Sequence, residues 1–161
     1  MNNLVIIAAV GRNGELGYKG GLCWRIGEDL RSFRDITMGH YVVMGRRTYQ
    51  GMPKLAGRKY IVISEESDDT PDVRFFTSIK DFLSFAKKTD EIIYVIGGGM
   101  IYTQLLPYCD EMILTEINAE CKQADVYFPR FDKTQWKIER QESKTNDDIS
   151  YKRVWYKRGS R

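Results

Sequence analysis

Runs of consecutive apolar residues predict buried strands along much of the chain. The run Leu4 to Val10 is apolar throughout, which is the pattern of a strand covered on both faces. Comparable runs predict further strands, at Tyr41 to Gly45, Lys59 to Ser64, Val73 to Phe76, Glu91 to Ile96 and Met112 to Ile117. Such strands, separated by helical stretches, indicate a largely parallel sheet.

The stretch Leu22 to Thr37 has the spacing of a helix from Gly27 onward, and its two adjacent acids fall on different faces. At about 100° per residue, Asp29 lies with Phe33 and Ile36, whereas Glu28 lies with the solvated residues. A carboxylate beside apolar side chains is costly to ionise, so we expect a raised pKa for Asp29, toward the range of a proton donor. The alternative is that Asp29 only caps the start of the helix.

The C-terminal third has a different pattern, because apolar and polar residues alternate there. Trp136 to Ser143 and Ile149 to Lys157 flank a polar turn, which predicts an antiparallel hairpin at the sheet edge. Upstream, Ser78 to Lys88 is an amphipathic helix and Asp125 to Pro129 is a short extended piece. We therefore predict an α/β fold in a single domain, residues 1–161. It has a central mixed, mostly parallel sheet of about eight strands, helices on both faces and a C-terminal antiparallel hairpin.

Composition narrows the function classes without choosing among them. The chain has 161 residues, 42% of them hydrophobic and 29% charged, with a net charge of +3, as in ordinary globular proteins. Three cysteines without a CxxC motif and one histidine exclude a Cys/His zinc site and a disulfide framework, so no metal is expected. The only early apolar run is too short for a membrane span, and we expect a cytoplasmic protein.

Three segments combine glycines or cations in ways typical of ligand-binding loops. Gly11 to Gly21 carries five glycines and is either a surface connection or a mobile flap. Arg46 to Thr48 follows a strand and would hold a phosphate, or would be an ordinary solvated pair of arginines. Gly97 to Gly99 lies between a strand and a helix that ends before Pro107. This arrangement suits a pyrophosphate, although Tyr102 replaces the third glycine of a Rossmann fingerprint.

The order of these motifs resembles dihydrofolate reductase over nearly the full chain. The matching segments are IIAAV near the start, LG in the flap, W-x-x-x-x-D-L-x-x-F-R across Trp24 to Arg34, VVMGRRTY at Val42 to Tyr49, GRKYIVIS at Gly57 to Ser64, VIGGGMIY at Val95 to Tyr102, LTEI at Leu114 to Ile117 and DVYFP at Asp125 to Pro129. Each segment alone is a weak signal, but eight in order are specific.

The resemblance implies reduction of 7,8-dihydrofolate to 5,6,7,8-tetrahydrofolate, with hydride passing from NADPH to C6 of the pterin. In such an enzyme Asp29 is the ionisable group of the pterin pocket. It hydrogen-bonds the N3 and 2-amino edge of the ring and promotes protonation of N5. The prediction from the helix pattern agrees, since Asp29 lies with the apolar residues. Glu28 is the alternative that we reject.

The resemblance also implies the other residues of the site. The catalytic group would be Asp29, Thr115, which hydrogen-bonds Asp29, and Leu22 on the flap. Substrate would contact Asp29 and Thr115, the backbone carbonyls of Ile7 and Ile96, the side chains of Leu30 and Phe33, and Arg58, which would grip the α-carboxylate of the glutamate tail or otherwise face water. The cofactor would contact Ala9, Leu16, Gly17, Gly45, Arg46, Arg47, Thr48, Ser64, Gly97, Gly98, Gly99, Tyr102 and Gln104. The phosphate-binding residues would favour NADPH over NADH, and the bond between the first two glycines is usually cis.

The chain departs from the family pattern at the end of the flap. Cys23 precedes Trp24 where proline is usual, and Gly27 stands where proline or a small residue is frequent. Both changes loosen the backbone, so we hypothesise a more mobile lid. Cys23 is either a reactive thiol or buried under Trp24. Lys54 lies in a stretch one residue shorter than usual, which leaves its contact with the glutamate tail open.

Two other function classes are compatible with parts of the chain. A pyrimidine reductase of the riboflavin pathway shares the fold but lacks both the acid on the first helix and the GRK motif. A nucleic-acid binder would use the tail Tyr151 to Arg161, where basic and aromatic residues interleave. Strand alternation explains that tail better, with Val154 and Tyr156 inward and the basic residues outward. We expect dihydrofolate and antifolate-type ligands, no nucleic-acid or membrane partner, and a monomer.

Overall fold

A large mixed sheet forms the centre of the molecule in the computed structural model, which describes residues 1–68 and 70–159. The strands, in chain order, are β1 (Leu4–Val10), β2 (Glu15–Tyr18), β3 (Gly21–Leu22), β4 (Tyr41–Gly45), β5 (Lys59–Ile63), β6 (Val73–Phe76), β7 (Ile93–Val95), β8 (Glu111–Ile117), β9 (Val126–Tyr127), β10 (Trp136–Asn146) and β11 (Ile149–Arg158). The helices are α1 (Gly27–Thr37), α2 (Arg46–Gly51), α3 (Ile79–Lys88) and α4 (Gly99–Leu105), with short 3₁₀ turns at Leu106–Tyr108 and Lys133–Gln135.

The strand order of the main sheet is β10-β11-β8-β1-β7-β4-β5-β6. The six strands from β8 to β6 run parallel, and β11 and β10 are added antiparallel at one edge. The remaining strands form a small sheet in the order β3-β2-β9. Because β7 lies between β1 and β4, we expect a ligand crevice at the carboxyl ends of these three strands, where open α/β sheets bind ligands.

Helices cover both faces of the main sheet, and neighbouring residues of β1 contribute to opposite sides. On one face Phe82 of α3 and Leu105 of α4 are buried with Ile6. On the other face Phe33 of α1 packs in the cluster that contains Ile7. This architecture confirms the predicted fold class. In the described part of the chain, no helix is both long and apolar enough to cross a membrane.

Several element boundaries differ from the predictions. The strand predicted from Glu91 to Ile96 is confined to Ile93–Val95, because the chain bends into the glycine turn directly after it. The C-terminal hairpin is longer than predicted, since its strands reach Asn146 and begin again at Ile149. Polar residues continue this ladder because backbone pairing does not require apolar side chains.

The C-terminal tail contradicts one prediction, since two of its basic residues do not face outward. Val154 and Tyr156 are buried as predicted, but Arg153 is only 3% exposed, and Arg158 hydrogen-bonds the carbonyls of Cys109 and Leu106. Both faces of β11 are covered, so alternation alone does not send every charged residue to solvent. Residues 160 and 161 of the tail lie outside the described residues.

Candidate active site

The glycine turn after β7 is joined directly to the end of β4. The backbone N–H of Gly45 donates to the carbonyl of Gly97 (2.9 Å), and that of Ile96 donates to Val43 (3.0 Å). These bonds bring the start of α2, with Arg46 and Thr48, to the start of α4. Two segments that are far apart in sequence thus form one corner of the crevice.

The same corner is shaped by glycines that leave room for close approach. Gly97 has φ +120°, and a Cβ there would lie 3.3 Å from the ring of Tyr102. A Cβ on Gly45 would lie 3.1 Å from Ile101, and one on Gly98 would lie 3.4 Å from Thr48 Oγ1. The Gly97–Gly98 peptide bond is cis. The glycines therefore let the turn, α4 and the end of β4 approach more closely than larger residues would allow.

Cations and hydroxyl groups lie at the ends of the two adjacent strands, β4 and β5. Arg46 pairs with Glu66 (2.6 Å), and both side chains are exposed. Arg47 is exposed, and within the described residues its side chain makes no hydrogen bond or ion pair. The Ser64 hydroxyl, after β5, accepts a hydrogen bond from the Glu66 backbone (3.2 Å). This edge can therefore take an anion, with Arg47 more available than Arg46.

Asp29 lies near the start of α1, against the buried face of the main sheet. Its Oδ1 accepts a hydrogen bond from Thr115 Oγ1 at 2.6 Å, and its side chain is 17% exposed. Ala9, Thr115 and Arg153 are register neighbours across β1, β8 and β11, and Arg153 Nη2 donates to the same Oδ1 at 2.8 Å. Ile26 is the N-cap of α1, without a side-chain cap bond, so the structure does not support a capping role for Asp29.

Glu28 is not on a solvated face, which corrects the sequence prediction. Its carboxylate accepts hydrogen bonds from the Tyr151 hydroxyl (2.5 Å) and from Arg153 Nη2 (2.8 Å). The hydrogen bonds from Arg153 and Tyr151 lower the pKa of Glu28 to about 2 despite its partial burial. Burial and the Glu28 acceptor raise the pKa of Tyr151 to about 12. Glu28 thus stays ionised in ordinary buffers, which argues against it as a proton donor.

The glycine-rich flap is a short hairpin of β2 and β3. Leu16 and Gly17 are buried, whereas Leu22 is 50% exposed at the far strand. The N–H of Cys23 donates to the carbonyl of Leu16 (3.0 Å), a bond that a proline at residue 23 could not make. Desolvation, followed by the effect of neighbouring Cys121, raises the pKa of Cys23 to about 12, which argues against a reactive thiolate.

The residues predicted to bind substrate come from α1, from β1 and from the segment before β5. Phe33 packs in the same cluster as Ile7, and Leu30 is 38% exposed. The Ile7 carbonyl accepts a hydrogen bond from the Tyr102 hydroxyl at 2.8 Å. Arg58 donates to the carbonyl of Arg34 at the end of α1 (3.3 Å), while its buried Nε has no partner among the described residues. Arg58 therefore lies beside the end of α1 with one buried donor unsatisfied.

The predicted cofactor residues of α4 have different environments. Tyr102 is buried, and burial raises its pKa, so its hydroxyl stays protonated and holds Ile7. Gln104 is exposed on the helix surface. Tyr102 therefore packs in the core beneath the glycine turn, whereas Gln104 is open to solvent, and the contacts of both residues with the cofactor stay predictions.

Sequence reasoning missed Arg153 and Tyr151, which pair with the start of α1. The partners are more than 120 positions apart in the chain, so no local pattern connects them. The available signal was the alternation of β11, which places Tyr151 and Arg153 on the same strand face as Trp155.

Comparison with known proteins decides the identity of this fold. Residues 3–158 match the family model described as dihydrofolate reductase. The chain belongs to the dihydrofolate reductase family. It is 35% identical to the Bacillus subtilis dihydrofolate reductase over 144 residues, covering 88% of this chain and 84% of the relative. It is 32% identical to the type 1 dihydrofolate reductase of Escherichia coli over 156 residues, covering 96% and 98%.

A solved structure of this family has the same architecture. The dihydrofolate reductase from Enterococcus faecalis, complexed with NADP(H) and RAB-propyl, superposes with a TM-score of 0.88 at 27% identity, covering 98% of this chain and 96% of that one. As a member of this family, the protein is an NADPH-dependent oxidoreductase that reduces dihydrofolate to tetrahydrofolate. The assignment decides against the pyrimidine reductases considered from the sequence.

Proposed function

We propose that Asp29 orients the pterin ring of dihydrofolate and promotes protonation of N5 during the reduction. The observation that carries this proposal is the hydrogen bond from buried Thr115 to Asp29 Oδ1 (2.6 Å), which holds a partly buried acid at the sheet face. Oδ2 accepts no hydrogen bond from the described residues, so a ligand donor can reach it. Glu28 is unsuited to the same task because two protein donors already occupy its carboxylate.

The glycine turn and the α2 start suit the phosphates of NADPH. Gly45, Gly97 and Gly98 let the turn, α4 and the end of β4 pack closely, and Thr48 lies beside Gly98. NADPH, when bound, supplies the hydride. The backbone N–H groups of the turn would hold the pyrophosphate, and Arg47 would add the positive charge that a 2′-phosphate requires.

Apolar residues of α1 and of the flap, together with Arg58 beside the end of α1, suit the rest of the substrate. The exposed side chains of Leu22 and Leu30, with Phe33, offer apolar surface to flat rings, and antifolate-type ligands of similar shape would use the same surface. The carbonyls of Ile7 and Ile96 would accept hydrogen bonds from the pterin. Arg58 would bind the glutamate tail through the terminal nitrogens of its guanidinium group.

We also infer a monomer that acts in the cytoplasm without a nucleic-acid partner. The outer strand β10 carries charged residues, including Glu139 and Arg140, which oppose pairing with another sheet edge. Arg153 and Arg158 of the tail are engaged within the protein, which leaves the tail fewer cations for phosphates.

The pH dependence of Asp29→Asn tests the proposed role. At pH 7 we expect turnover to fall about 100-fold or more, because the acid is removed from the proton-transfer step. Part of this loss should be recovered at low pH, where dihydrofolate arrives already protonated. Asp35→Asn, which changes a 75% exposed acid on the same helix, is the matched control and should follow the wild type. Equal loss at every pH in Asp29→Asn would contradict the role.

A further inference from the structure

Arg153 brings a buried positive charge to the acid from the antiparallel strand β11. Its side chain is 4% exposed, and its register partner Thr115 is also buried. Arg153 Nη2 lies 2.8 Å from Asp29 Oδ1 and 2.8 Å from Glu28 Oε2, and Nη1 lies 3.7 Å from Glu142 Oε2. Both terminal nitrogens of the guanidinium are therefore directed at carboxylates, as a desolvated cation requires.

Two donors fix a single oxygen of Asp29. Thr115 Oγ1 and Arg153 Nη2 both donate to Oδ1, at 2.6 and 2.8 Å, while Oδ2 accepts no hydrogen bond from the described residues. A carboxylate tied at one oxygen by donors from two strands cannot rotate freely, so the direction of the other oxygen is set by the protein.

We propose that Arg153 is a positioning residue for the reaction, which anchors Asp29 through Oδ1 and sets the charge that this acid meets. The inference rests on the role proposed above for Asp29. Thr115 alone supplies a neutral hydrogen bond, whereas Arg153 adds both direction and a full positive charge. Strand β11 thus contributes a buried arginine that holds Asp29 in position.

The other charged groups around this acid do not replace Arg153. Glu28 from α1 and Glu142 from β10 are acids that also pair with Arg153, and Lys144 from β10 acts on Glu28. The pKa of Glu28 is lowered to about 2, and burial with the Glu28 acceptor raises that of Tyr151 to about 12. These two groups therefore keep one protonation state between pH 5 and 9. Without Arg153, Asp29 would face the like charges of Glu28 and Glu142.

The test compares Arg153→Met and Arg153→Lys with wild type in the pH profile of kcat/KM for dihydrofolate, from pH 5 to 9. In Arg153→Met we expect the midpoint to move up by about 1 pH unit, because loss of an adjacent cation favours the protonated carboxyl. The low-pH plateau should fall about tenfold, because one anchoring hydrogen bond is lost. Arg153→Lys keeps the positive charge but lacks the planar pair of guanidinium donors. Its midpoint should therefore equal that of wild type, whereas its low-pH plateau should lie between those of Arg153→Met and wild type.

Arg140→Met is the matched control, since Arg140 also pairs with Glu142 but is 63% exposed and does not contact Asp29. Its profile should superpose on that of wild type. Folded protein is quantified by circular dichroism for each variant. A folded Arg153→Met with the wild-type midpoint and plateau would overturn the proposal. If Arg153→Met does not fold, a wild-type plateau in Arg153→Lys overturns it.

Asp29→Asn, measured in parallel, separates this inference from the function on which it rests. If Asp29→Asn retains the wild-type profile, the role of Asp29 is wrong and the inference fails with it. If Asp29→Asn loses activity as proposed while the Arg153 variants match wild type, only the inference is wrong.

Discussion

At the residue scale, two neighbouring acids of α1 meet one guanidinium and acquire different properties. Glu28 is held by Arg153 and Tyr151, whereas Asp29 is held at one oxygen by Thr115 and Arg153. The helix pattern identified Asp29 because the spacing of apolar neighbours is local. It could not identify Arg153, whose burial depends on partners more than 120 positions away.

Glu28 has a measurable consequence for acid stability. Its pKa lies well below the unfolded value, so its contribution is complete above about pH 4.5 and is lost as pH falls toward 2. We expect Glu28→Gln to lower the free energy of unfolding by about 2–3 kcal/mol at pH 7, with a difference from wild type that shrinks toward pH 2. Urea unfolding at several pH values measures this.

The control for that experiment is an exposed acid. Glu66→Gln removes a 77% exposed partner of Arg46 and should change the free energy of unfolding by less than about 0.5 kcal/mol at any pH. A Glu28→Gln variant whose deficit is the same at pH 7 and pH 2 would show that the carboxylate charge does not stabilise the fold.

At the element scale, the turn between β7 and α4 joins strand ends that local patterns describe only separately. The strand, the three glycines and the following helix were all readable from the sequence, because each has a local signature. The hydrogen bond between the Gly97 carbonyl and the end of β4 could not be predicted from the sequence, because β7 inserts between β1 and β4 only in the folded sheet. The strands β2 and β3 were also missed, since four and two residues are too few for a pattern.

Gly97→Ala tests the shape of this turn. Alanine at φ +120° is strained, and its Cβ would press on the ring of Tyr102 at 3.3 Å. Gly39→Ala, at φ +81° with nothing within 4 Å, has the backbone cost alone, about 1 kcal/mol. We expect Gly97→Ala to cost roughly 1–2 kcal/mol more than this control in denaturant unfolding, and to raise KM for NADPH. Equal costs and an unchanged KM would contradict the close packing described here.

At the scale of the whole molecule, the parallel strands and their helices follow from apolar runs, whereas the position of the crevice follows from strand order. The order β8-β1-β7-β4 brings Thr115, Ala9, Gly97 and Gly45 to one edge, although they come from four separate segments. Apolar runs give no information on which strands become neighbours, so this arrangement was predictable only through the resemblance to a known family.

Cofactor preference is a property of that assembled edge. Arg47 and the hydroxyls of Thr48 and Ser64 come from two strand ends, and we expect them to recognise the 2′-phosphate together. NADPH should therefore raise the melting temperature more than NADH at equal concentration, with a stabilisation of about 2.7 kcal/mol when NADPH is at 100 times its Kd. Differential scanning fluorimetry with the two cofactors measures this, and identical shifts would exclude a 2′-phosphate site.

The most direct measurement compares the turnover of Asp29→Asn with that of Glu28→Gln at pH 7, followed by the loss of absorbance at 340 nm with dihydrofolate and NADPH. We expect a loss of about 100-fold or more in Asp29→Asn. Glu28→Gln should retain most of its activity, since Arg153 and Thr115 still hold Asp29. Comparable losses in both variants, or a greater loss in Glu28→Gln, would contradict the proposed role of Asp29.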